Sequence, residues 1–245
     1  MDRLTGKLRE NYNKIEEKIA TTAAKAGLTS EKIQIVAVTK THRVEVIDAG
    51  LRAGIKIIGE NKVQEAESKL PKLQESYDEF HYIGHLQKNK VNKLLRLRPD
   101  LIHSIDKLKT ARSLNSSLER EGFRQKILIQ VNTSGESSKF GLPADYPLIR
   151  DFVGALTEMK QLEILGLMTI GKFTDNEREI RNCFVMLRDF FTSLQSERIS
   201  GVEMKILSMG MSGDYLLAVE EGANLLRIGT AIFGERNYSK VSGAE

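Results

Sequence analysis

Eight short β-rich runs recur along the chain, and after each comes a polar turn and then a longer segment of helical period. They are IQIVAV (33–38), IKIIG (55–59), FHYIG (80–84), LIHSI (101–105), KILIQV (126–131), EILGLM (163–168), MKILSM (204–209) and NLLRIG (224–229). Several are apolar almost throughout, as strands covered on both faces are. The intervening segments carry an apolar stripe, for example Val63, Ala66, Leu70 and Leu73, which is the mark of amphipathic helices. Strands alternating with helices predict an α/β fold on a mainly parallel sheet. The pattern alone leaves two closures open, an open doubly wound sheet and a barrel, and 245 residues suit one barrel.

Ahead of the first run, Leu4, Leu8, Tyr12, Ile15 and Ile19 are spaced by three and four. This predicts an additional amino-terminal helix within residues 1–28. No Gly- or Ser-rich linker divides the chain, so a single unit over 1–245 is expected. NTSGESSKFGLPADYP (132–147) reads as a long loop over a site.

A hydrophobic fraction of 40%, a charged fraction of 29% and only four prolines argue against disorder. The net charge of +4 comes from lysines and arginines interleaved with acids rather than gathered in one tract, so no nucleic-acid partner is expected. Cys183, the only cysteine, excludes an internal disulfide and reads as a packed thiol among Phe184, Met186, Leu187 and Phe190. No apolar run is long enough for a signal peptide or a membrane span, and a cytoplasmic location is the expectation.

In a parallel barrel, functional residues follow the carboxyl ends of the strands. Here those positions hold Thr39, Lys40, Thr41 and His42; Glu60 and Asn61; His85 and Gln87; Asn132 and Ser134; Gly210 and Ser212; and Arg227, Gly229 and Thr230. Lys40 ends an apolar strand, where burial lowers an ammonium pKa and prepares the amine to attack an aldehyde. The alternative is a solvated lysine, or one that balances a phosphate by charge.

SMGMSGD (208–214) and RIGTAIFGER (227–236) suit a phosphate, because small residues admit backbone amides to an anion and hydroxyls add donors. Gly210, Gly213 and Gly229 could instead serve only tight turns. Arg227, inside an apolar strand, needs a partner, and Glu203, Glu220 or a ligand are the candidates. His81, His85 and His103 have no metal-ligand spacing, so no metal site is expected. Serine-hydrolase elbows and P-loops are absent.

Seven ordered blocks carry a resemblance: AVTKTH around Lys40, GENKVQE (59–65), HYIGHLQKNK (81–90), VNTSGESSKFGL (131–142), GLMTI (166–170), LSMGMSGDY (207–215) and RIGTAIFGER (227–236). The chain closely resembles the pyridoxal phosphate homeostasis proteins, the YggS/PROSC family, which share the barrel of the alanine racemase amino-terminal domain. The resemblance implies a (β/α)8 TIM barrel over 33–236 and a pyridoxal 5'-phosphate (PLP) cofactor held as a Schiff base on Lys40, with Asn61 near the ring. It implies further that Ser208 or Ser212, with the Gly229 and Thr230 amides, holds the phosphate, and that Arg227 faces the pyridine nitrogen.

A guanidinium cannot accept a proton and discourages charge on that nitrogen, which weakens the electron sink that carbanion chemistry needs. The implied role is a carrier that supplies PLP-dependent apo-enzymes without turnover; the alternative is an amino-acid racemase. Racemases of this barrel carry a second, mainly β domain, whereas this chain stops at NYSKVSGAE, so a monomer is expected. The chain departs from the family at Ile58, commonly Phe, at Lys62, commonly Tyr, and at Thr-His-Arg after Lys40 in place of Thr-Lys-Pro.

Overall fold

The computed structural model describes residues 2–235. Arg236, the last residue assigned to the barrel, and the NYSKVSGAE segment lie outside the described residues. The chain opens with α1 (Arg3–Lys25), followed by β1 (Gln34–Val38), α2 (Val44–Arg52), β2 (Ile57–Glu60), α3 (Val63–Lys69), β3 (Glu79–Tyr82), α4 (Val91–Arg96), β4 (Leu101–Ile105), α5 (Leu108–Glu121) and β5 (Gln125–Asn132). A two-residue strand, β6 (Leu142–Pro143), precedes α6 (Tyr146–Thr157), β7 (Leu162–Met168), α7 (Glu177–Glu197), β8 (Val202–Ser208), α8 (Tyr215–Glu220), β9 (Leu225–Ile228) and α9 (Thr230–Phe233).

The choice between open sheet and barrel is decided by two pairings. β4 pairs with β5, and β1 pairs with β9, where Val36 is level with Arg227. The strands therefore run in a closed parallel ring, β1-β2-β3-β4-β5-β7-β8-β9, with β6 attached outside on β5. Each predicted run falls on one of these eight strands, with ends shifted by one or two residues.

Alternation along each strand divides the core. Outward residues such as Ile35, Ala37, Ile58, Phe80 and Ile102 pack with Ile47, Val63, Leu94, Leu114 and Leu118 of the helices. Inward residues Val36, Ile57, Leu101, Leu128, Met168 and Leu225 form a separate apolar layer within the barrel. One alternation further toward the carboxyl ends, the inward positions of four strands turn polar: His103, Gln130, Ser208 and Arg227.

In α1, Leu8, Ile15 and Ile19 are buried and Tyr12 is half-buried, but in the first turn Thr5 is the buried residue and Leu4 is exposed. Asp2 caps the helix by accepting the Thr5 amide at 2.8 Å. Asn11 ties it to α9 by donating to the Ile232 carbonyl at 2.9 Å. Cys183 is buried in α7, as its apolar neighbours predict. Among the described residues no helix is long and apolar enough to cross a membrane.

Candidate cofactor pocket at the carboxyl ends of the strands

A cavity of about 650 Å³ opens at the carboxyl ends of the strands, within the usual range for a small-molecule site. Lys40, Asn61, Ser212, Arg227, Gly229 and Thr230 all line it. Ser208 does not. A second cleft, about 450 Å³, lies at the opposite end between α1 and the strand starts, away from these residues.

Lys40 is half-buried just past the end of β1. Its neighbours are held by three side chains that do not line the cavity. Lys69 Nζ donates to the Thr39 carbonyl at 2.9 Å and meets Glu60 at 3.0 Å and Glu65 at 2.5 Å. The Thr39 hydroxyl donates to Glu60 at 2.7 Å, and the Thr41 amide donates to Glu65. Thr41 has φ +67°, a left-handed value that costs a β-branched residue about 1–3 kcal/mol. Burial pushes the Glu60 carboxyl up against the pull of Lys69. Burial also opposes ionisation of Glu65, but bonds from Lys69 and the Thr41 amide outweigh it and the carboxyl shifts down.

The loops after β8 and β9 converge on one hydroxyl. Ser212 Oγ accepts the Gly229 and Ala231 amides, each at 3.2 Å, so two N–H groups from the start of α9 point at one oxygen in the cavity wall. Asp214 shapes the same loop by accepting the Met211 amide at 2.5 Å, and burial raises its carboxyl pKa. Gly210 is required for the turn: its φ is +90°, and a Cβ would lie 2.6 Å from Ala218. Gly213 is not, since a side chain there would meet nothing.

Arg227 is buried, and burial pushes its guanidinium down to about 10, with the Asp214 charge opposing. Neither carboxylate expected from sequence is its partner: Glu203 pairs with Lys205 on the outward side of β8, and Glu220 pairs with Arg181 on the helical surface. Arg227 instead donates to Ser208 Oγ at 2.6 Å and to the Thr169 carbonyl at 2.7 Å. Ser208 is thus turned toward the barrel interior. From it a chain of hydrogen bonds continues to His103 at 3.1 Å, His81 at 3.0 Å and Glu79 at 2.7 Å. A guanidinium only donates and an ionised carboxylate only accepts, so each link donates toward Glu79. Burial, with the Arg227 charge, holds His103 well below the usual imidazole range.

The 132–147 segment does cover the site, through Ser138, Lys139 and Phe140. Phe140 stacks on His85 with centroids 3.8 Å apart, its carbonyl accepts from Gln130 Nε2 at 3.0 Å, and Lys139 donates to the Gly171 carbonyl at 2.6 Å. Gln130 was legible as a polar residue within an apolar run; the roles of Lys69, Lys139 and Phe140 had no local signal. Of the family departures, Ile58 is buried among the helices, and Lys62 places an exposed ammonium on the cavity lip.

This donor set fits PLP: an amine that can take an aldehyde, paired amides suited to a phosphate, and a guanidinium, all at the wall of one cavity. The sequence matches the alanine racemase N-terminal domain family over residues 6–237. It is 36% identical over 229 residues to the pyridoxal phosphate homeostasis protein of Aquifex aeolicus, spanning 94% of this chain and 98% of that one. The fold superimposes on that of an unknown protein from Bifidobacterium adolescentis with TM-score 0.87 and 31% identity, over 95% of this chain and 96% of that one. It matches PipY of Synechococcus elongatus PCC7942, solved with PLP bound, with TM-score 0.74 and 32% identity, over 90% of this chain and 100% of that one. The chain belongs to the pyridoxal phosphate homeostasis proteins, within the alanine racemase N-terminal domain family.

Proposed function

We propose that this chain binds PLP in the cavity at the carboxyl ends of the strands, serves intracellular PLP homeostasis, and performs no catalytic turnover. The observation that carries the reading is that Lys40 lines the same cavity as Ser212, Gly229 and Arg227. When bound, PLP supplies an aldehyde carbon that one amine takes up reversibly and from which a second amine can displace the first.

Lys40 is the covalent attachment point and Asn61 flanks the ring. Ser212, with the Gly229 and Thr230 amides, receives the phosphate, and Arg227 faces the pyridine nitrogen without a lone pair to offer it. Ser208 acts behind Arg227 as its acceptor. The chain is one PLP-binding domain, an amino-terminal segment 1–28 that carries α1 and a barrel segment assigned to 33–236, and it works as a cytoplasmic monomer that passes its cargo to PLP-dependent apo-enzymes.

The test is the absorption spectrum with added PLP, followed by borohydride reduction and peptide mapping. A yellow protein with the label on the Lys40 peptide is expected, and Lys40→Ala abolishes both. A wild-type chain that stays colourless in excess PLP overturns the reading.

A further inference from the structure

Both peptide planes that flank Lys40 are held by one ion cluster. The Thr39 carbonyl belongs to the plane before Lys40 and accepts from Lys69 Nζ at 2.9 Å. The Thr41 amide belongs to the plane after it and donates to Glu65. Lys69 joins the two carboxylates, at 3.0 Å from Glu60 and 2.5 Å from Glu65, and Glu60 fastens Thr39 a second time through its hydroxyl. A peptide unit is planar, so two fixed planes fix φ and ψ of the residue between them. They thereby aim the Cα–Cβ bond of Lys40.

As a device for stability alone the cluster is a poor one. A buried ion pair recovers its desolvation only in part, and Glu60 Oε2 is buried with no hydrogen-bond partner among the described residues. Thr41 is kept in a left-handed conformation that threonine rarely adopts. Strain of this kind persists where the surroundings over-determine it, and it gathers at functional sites. The residue between the two pinned planes is the one whose amine must meet an aldehyde at a set angle.

We propose that Lys69, together with Glu60 and Glu65, is a positioning residue for Lys40: it sets the direction of that side chain into the cavity without touching the cofactor. The proposal rests on Lys40 being the attachment point.

The test compares two ligands on the full chain, PLP and 4'-deoxypyridoxine 5'-phosphate, which keeps the ring and phosphate but has a methyl group where PLP has its aldehyde. The variants are Lys69→Met combined with Glu60→Gln, which removes both buried charges together, and Glu65→Ala alone. Glu65 is partly exposed, so this second variant decides the matter if the first does not fold. The expected result is that the deoxy analogue binds within about twofold of wild type while PLP affinity falls about tenfold or more. The fraction of bound PLP fixed by borohydride falls with it. Equal losses for both ligands, or undiminished PLP binding, overturn the proposal. A wild-type chain that binds both ligands equally overturns the reading of Lys40 itself, before any variant is made.

Discussion

Arg227 donates through Nη1 to the hydroxyl of Ser208 at 2.6 Å, and both residues are buried. The contact explains how a guanidinium survives inside an apolar strand: its charge is met by a hydroxyl and a carbonyl, and the hydroxyl is backed by two imidazoles and a carboxylate.

Burial keeps His103 neutral in the folded chain well below its ordinary value of 6.5. The unfolded imidazole takes up a proton as pH drops through 6.5 and the folded one does not, so stability falls in that window and the loss continues down to the folded pKa. The contribution reaches at most about 1.4 kcal/mol per pH unit. Denaturant unfolding between about pH 7.5 and 5.5 should show this slope, and His103→Gln should flatten it. An identical slope in the variant contradicts the assignment.

Ser212→Ala removes the oxygen on which the Gly229 and Ala231 amides converge. Loss of one such hydrogen-bonding group is worth about 1–2 kcal/mol, or roughly tenfold in affinity for PLP. Pyridoxal, which has no phosphate, should bind the variant and the wild type alike. Titration of both ligands decides it, and a parallel loss for pyridoxal would place the effect outside a phosphate site.

Gly84→Ala tests the wall beside Asn61. A Cβ at position 84 would lie 2.0 Å from the Asn61 carbonyl oxygen and 2.6 Å from its carbon, a backbone clash that no rotamer relieves. The loop after β2 must move, at about 1–3 kcal/mol of stability by analogy with overpacked cores, and PLP binding weakens with it. Unfolding curves and titration measure the two; a neutral substitution would show that the approach is not tight in solution.

Absence of turnover has a direct measurement. Loaded protein incubated with L-amino acids in deuterated water should show no sustained incorporation at the α-carbon beyond that of free PLP. Arg227 presents donors only, so it does not hold a proton on the pyridine nitrogen to strengthen the electron sink. Continued incorporation detected by mass spectrometry would make the chain an enzyme.

Much of the site was readable because its residues sit at strand ends, where composition changes abruptly. Lys40 after IQIVAV and Arg227 within NLLRIG are polar side chains against an apolar background, and each does line the cavity. The two serines illustrate where reading stopped. Ser208 and Ser212 are four residues apart in one small-residue segment and look equivalent in sequence. The pleat turns Ser208 inward to Arg227, while Ser212, beyond the strand, reaches the amides of the next loop.

The linear order of residues determined which segments become strands and helices, through apolar runs and stripes whose periods are local properties of the chain. It also determined that an amine, a pair of small-residue loops and a buried guanidinium would stand at strand ends. Closure of the ring through β1 and β9, the clamp of Lys69 on Thr39 thirty residues away, and the contact of His103 with Ser208 across 105 residues were decided by tertiary structure alone. Each of these depends on two distant strands or helices arriving in one register, and neither segment carries the other's position in its own periodicity.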